Sequence, residues 1–169
     1  MELNEQLKND GIAKGLCSQW QHKLDTHKSI EDLATLFIKG IDFCVCNDYP
    51  TLDFLRTNFK GKCEPYGVFI DDDMYGLQNL PNAVLNGTSR IALEYDGYSV
   101  GRVFVRHNSV AVINVAGHAN VTIDAFDDSR IRIATTGHEA RVWVNRYGNA
   151  VVECMDAGVK VRTINKNTY

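Results

Sequence analysis

Four segments of this chain can be written one beneath another at a step of 20 to 21 residues. Ser89-Arg90-Ile91-Ala92-Leu93, Ser109-Val110-Ala111-Val112-Ile113, Ser129-Arg130-Ile131-Arg132-Ile133 and Ala150-Val151-Val152-Glu153-Cys154 make one column of strand-like text. Gly97, Gly117, Gly137 and Gly158 make a second, and Thr88, Asn108, Asp128 and Asn149 a third. A fixed step with turn residues in fixed places is the signature of stacked coils, each too small to bury its own apolar side. An antiparallel meander also repeats every ten residues or so, but gives no reason for alternate turns to differ. Here one turn is Asn or Asp and the next is Gly, which makes the period twenty and favours like stacked on like.

Each lap holds two short strands. Val103 and Val105, Val121 and Ile123, and Val142 and Val144 put an apolar residue at every second position in one of them. The pairs 91/93, 111/113, 131/133 and 152/154 do so in the other. Alternation turns one face of each strand inward. Parallel crossovers are right-handed in nearly all sheets, so that hand is expected. The fold class read from these features is α+β, a helical cap and junction over residues 1–80, with a strand at Tyr66–Ile70, followed by a parallel β-helix of about four coils over residues 81–169. All three prolines, Pro50, Pro65 and Pro81, lie before the ladder, where a missing N–H costs it nothing.

Before the repeat, residues 1 to about 28 read as helix interrupted at Gly11 and Gly15, with Leu16, Trp20 and Leu24 on one face. A second helix starts from Ser29, a cap with Asp32 three residues on, and carries the stripe Leu33, Leu36, Phe37, Gly40, Ile41, Cys44 and Val45. A third spans Thr51 to Asn58. An uncovered first coil would invite edge-to-edge pairing, so these helices are expected to cap it. The partial coil from Val159 and the polar tail at the other end suggest closure by a second subunit.

The charge balance, 18 Lys and Arg against 21 Asp and Glu, gives no support for a nucleic-acid partner. Residues 1–10 lack the apolar run of a signal peptide, and no stretch approaches a membrane span, so a cytoplasmic protein is expected. Five unevenly spaced cysteines fit reduced thiols in such a compartment.

Chemistry-bearing residues are few. Gly117-His118 and Gly137-His138 recur one lap apart, so two imidazoles could share an edge and hold a metal, but no acid or thiol recurs beside both. Asp124, Asp127 and Asp128, like Asp71, Asp72 and Asp73, form carboxylate clusters. The short turns around them leave no room for the cleft a glycosidase needs. No cofactor or metal site is assigned. The most suggestive surface joins Arg141, Trp143, Arg146 and Tyr147 with the histidine edge of His118 and His138, because Trp, Tyr and Arg are enriched where proteins bind proteins.

The segment Ile91-Ala92-Leu93-Glu94-Tyr95-Asp96-Gly97-Tyr98-Ser99-Val100 is followed by Val105-Arg106-His107, and earlier stand Cys17-Ser18-Gln19-Trp20 and Asn47-Asp48-Tyr49-Pro50. Together they resemble a family of small proteins from gut bacteria and their phages or prophages, to which no catalytic motif attaches. The resemblance implies a phage-related origin, in the cell or in a virion. The expectation is therefore a non-enzymatic structural or protein-binding module, oligomeric through its open end or a flat face. The competing expectation is a small carbohydrate-active or metal-dependent β-helix enzyme.

Overall fold

In the computed structural model, which describes residues 2–26, 29–154 and 156–169, the chain divides into two compact units, one ending at Tyr66 and one over residues 67–168. The helical expectation at Met1, His27 and Lys28 lies outside the described residues.

The first unit contains α1 (Leu3–Ala13), α2 (Ser18–Thr26), α3 (Ile30–Lys39), α4 (Ile41–Cys46) and α5 (Leu52–Asn58). Gly11 does not interrupt α1. A methyl there would lie 2.8 Å from Leu16 Cδ2 and 3.1 Å from Tyr49 Oη, so the glycine is a site of close approach inside the helix. Tyr49 Oη donates to the Leu7 carbonyl at 2.7 Å and holds that contact. Gly15, by contrast, takes φ of +91° in the turn after α1.

The expected second helix is two helices. Ser29 caps α3, its hydroxyl accepting from Asp32 N–H at 3.0 Å. Gly40 separates the two at φ −105°, and a Cβ there would stand 3.2 Å from the Trp20 ring, which requires glycine at this position. Thr51 caps α5 by accepting from Phe54 N–H.

The second unit is a parallel β-solenoid of about five coils. One sheet, here sheet A, orders its strands β1 (Val68–Ile70), β3 (Asn82–Asn86), β5 (Val100–Val105), β7 (Asn120–Ala125), β9 (Arg141–Tyr147) and β11 (Val159–Ile164). Sheet B orders β2 (Asp73–Gln78), β4 (Arg90–Tyr95), β6 (Val110–Ala116), β8 (Arg130–Thr136) and β10 (Val151–Cys154). Inward positions fall into columns one coil apart, such as Val103, Ile123 and Val144, or Leu93, Ile113 and Ile133, and these make a single dry core.

The sheets begin earlier than the repeat text. β1 and β2 already pair with β3 and β4, so the ladder starts at Val68 rather than at residue 81. That coil is out of step: Asp73 lies beside Arg90, a step of 17, and the register shifts between Met74 and Leu77. The middle laps keep steps of 20 and 21, as Arg90 beside Val110 and Arg130 beside Val151 show. In β1 and β3 Val68, Phe69, Ile70, Ala83, Val84 and Leu85 are all buried, which is why those strands are apolar without alternation.

The turns from sheet A to sheet B share one device. Asp71, Gly87, His107, Asp127 and Gly148 each adopt a positive φ, between 45° and 75°. The left-handed residue therefore stands one position before the Thr88, Asn108, Asp128 and Asn149 column, contrary to the expectation that those residues supply the bend. Where that residue is Asp71, His107 or Asp127, its side chain bonds to the coil before it or after it. Gly87 N–H donates to His107 Nδ1 at 3.0 Å, His107 N–H to Asp127 Oδ2 at 2.8 Å, and Thr88 N–H to Asp71 Oδ1 at 2.8 Å.

Candidate binding surface

The outward face of sheet A gathers the chemistry that the sequence singled out. Parallel register stacks Asn82, Arg102, Thr122, Trp143 and Lys160 in one column, and Asn120 beside Arg141 in the next. A third column runs through Asp124, Asn145 and Arg162. Trp143 is 47% exposed, and Lys160 Nζ lies 4.7 Å over its ring. Arg102, Arg141, Lys160 and Arg162 are exposed on this face. Its acid, Asp124, is buried and accepts the Asn145 amide at 2.7 Å. Cations therefore share this face with the indole, and among the described residues its outward strand positions carry no exposed carboxylate, the exposed acid Glu139 lying in the turn before β9, 4.0 Å from Arg141 Nη2.

A groove of about 470 Å³ opens beside that face, lined in part by His138, Arg141, Trp143, Asp156, Gly158 and Lys160. Unequal turns create it. Asn120 lies beside Arg141, a step of 21, but Val142 lies beside Val159, a step of only 17. Cys154 and Val159 are five positions apart where their neighbours Ile133 and Val142 are nine apart, so the last connection from sheet B to sheet A cuts the corner. Gly158 is consequently not the fourth member of the glycine column. Gly97, Gly117 and Gly137 have positive φ, whereas Gly158 lacks it and is glycine because a Cβ would lie 2.8 Å from the Ala140 carbonyl oxygen.

The polar groups of the groove hold the turns together. Arg141 Nη1 donates to the carbonyls of His138 at 2.6 Å and Ala140 at 3.0 Å, and Asp156 Oδ2 accepts from Thr135 N–H at 2.8 Å. These bonds are internal to the turns and fix the shape of the groove.

Of the six residues singled out, Arg141, Trp143 and His138 come together here. Tyr147 does not: it is 6% exposed and stacks on Phe126 with ring centroids 4.8 Å apart. Arg146 falls in the inward column next to Ala125, half-buried, with Nε bonded to the Ala150 carbonyl. His118 lies one coil back, its ring stacked on Tyr98 at 4.7 Å and 2°. Lys160 and Asp156 stand outside the period that makes the other columns visible, because of the 17-residue step, and Thr135, in register beside Val115, enters the groove through its backbone N–H to Asp156.

The carboxylate clusters are also structural. Asp71, Asp72 and Asp127 accept backbone N–H groups from Thr88, Ile70 and His107, and Asp128 accepts the Asn149 amide at 3.3 Å. Among the described residues no group of three or more His, Cys, Asp or Glu side chains is placed to hold a metal ion, and no helix is long and apolar enough to cross a membrane. None of the five cysteines forms a disulfide.

Fold and surface together define a class, a short parallel β-solenoid preceded by a helical unit, with one aromatic and cationic sheet face. The chain matches no protein-family model, no curated protein and no solved structure.

Proposed function

We propose that this protein is a non-enzymatic binding module whose solenoid presents the Trp143 face as a rigid docking surface for an acidic protein segment. The observation that carries this reading is the half-exposed indole among Arg102, Arg141, Lys160 and Arg162, on a face with no exposed acid at its outward strand positions among the described residues. Arg and Trp are the side chains that dominate binding energy in protein interfaces, and a sheet stacked on both neighbours loses little entropy when it binds. The groove beside Trp143 suits an apolar side chain flanked by carboxylates. A phage-related role, in the producing cell's cytoplasm or as a virion component or host-factor binder, rests on the sequence resemblance alone.

Trp143 supplies its own probe. The chain has two tryptophans, so Trp20→Phe leaves one indole emission to follow. Titration with a peptide carrying four glutamates around one phenylalanine should give a saturable change. Arg141→Ala should weaken it about tenfold, and high salt should weaken it further. An indole that ignores the acidic peptide, or that responds equally to a neutral one, would remove the reading.

A further inference from the structure

The last coil carries a second surface, which shares Lys160 with the first but is otherwise made of different residues. β10 and β11 each have a neighbouring strand on one side only, so each presents a row of backbone donors and acceptors along its other edge. Core-facing positions are also less covered here. In the coil before, Ile131, Ile133, Val142 and Val144 are 1–3% exposed. Their neighbours Val152, Cys154 and Val159 are only half-buried, and Val161 is 43% exposed although its register beside Val144 points it inward.

The two edges differ in charge. β11 alternates Val159-Lys160-Val161-Arg162, with its cations outward, and β10 reads Val152-Glu153-Cys154, with its acid outward. Glu153 pairs with Arg132 at 3.2 Å, but both side chains are more than half exposed, so that contact is weak and exchangeable. Cross-strand neighbours favour opposite charges and disfavour like ones. Two copies meeting end to end through a two-fold axis can pair β11 with β11 and β10 with β10, which sets like against like. If the axis instead runs along the strands, β11 of each copy pairs antiparallel with β10 of the other.

We infer that the protein forms a two-fold end-to-end dimer in which β11 of one copy adds to β10 of its partner, with Lys160 opposite the partner's Glu153. In that register Val159 faces the partner's Cys154 and Val161 faces the partner's Val152. Apolar positions therefore meet inside while the ion pairs lie outside. The pairing occurs twice by symmetry, which makes the contact isologous and closed.

Light scattering on the intact chain tests this, the expected mass being twice 19.0 kDa. Glu153→Lys and Lys160→Glu should each raise the dimer dissociation constant about tenfold or more, since each change acts at two places. The doubly exchanged chain, Glu153→Lys with Lys160→Glu, should dimerise again, and far-UV circular dichroism should be unchanged throughout. A single-chain mass at about 100 μM in low salt would overturn the inference. So would a dimer that neither single change weakens, or one that the double exchange fails to restore. Glu153 lies on sheet B, away from Trp143, so its substitution leaves the peptide titration intact and the two readings fail separately.

Discussion

Tyr95 carries a hydroxyl that the fold buries without a hydrogen-bond partner among the described residues. The ring lies where a side chain of Gly101 would otherwise stand, so an added methyl at Gly101 would overlap it. Burial favours the neutral phenol and pushes its pKa up to about 12, from 10.0 when unfolded. A raised pKa of this kind leaves stability intact below pH 10 and removes it as pH climbs towards 12, because the unfolded chain ionises first. Tyr49 is raised in the same direction, mainly by burial and then by the nearby charges of Cys44 and Asp10, and adds to that alkaline loss. Tyr95→Phe should therefore stabilise the protein by about 1 kcal/mol at pH 7, since an unsatisfied buried hydroxyl disappears. It should also flatten the fall above pH 10. Denaturant midpoints at pH 7, 9, 10 and 11 measure both effects, and a variant weaker than the parent at pH 7 would show that the hydroxyl has a partner after all.

Among the elements, local signals were readable and distant ones were not. Ser29 with Asp32, and Thr51 before α5, announce helix starts because a cap depends on three neighbouring residues. The requirement for glycine at Gly40 comes from Trp20, twenty positions away, and nothing in the stripe from Leu33 to Val45 records it. The Trp143 face divides in the same way. Trp143 and Arg141 were legible as strand residues, but Lys160 joins them only through the 17-residue step, and Tyr147 is hidden by its stack with Phe126. The turn ladder gives an element-scale test. His107 sits at φ +57° and its Nδ1 receives the Gly87 N–H. His107→Ala removes that acceptor and puts a Cβ without local polar support in the left-handed region, a loss of about 2–4 kcal/mol. His107→Asn keeps a short acceptor and a residue that tolerates this backbone, so it should lose less than about 1 kcal/mol. Thermal melts of both variants decide the matter, and equal losses would mean that the coil-to-coil bond contributes nothing.

At the scale of the whole molecule, a stack of near-identical laps makes stability a sum over neighbouring coils. The middle of this solenoid should therefore tolerate removal of a complete lap. Ser109 and Ser129 occupy equivalent buried positions, and Val110 lies beside Arg130 in register. Deleting residues 110–129 joins Ser109 to Arg130 and sets β4 against β8 and β5 against β9, every inward position still facing the core. Arg102 would then lie directly beside Trp143. Deleting residues 110–119 removes half a lap and delivers sheet A residues to sheet B, where the turns no longer match and the left-handed column is lost. Circular dichroism should find the 20-residue deletion folded with a cooperative melt, lowered because one interface between coils is gone. The 10-residue deletion should not fold. If both deletions fold equally well, or if neither does, the coils are not interchangeable units and their stability is not shared in the way that parallel stacking requires.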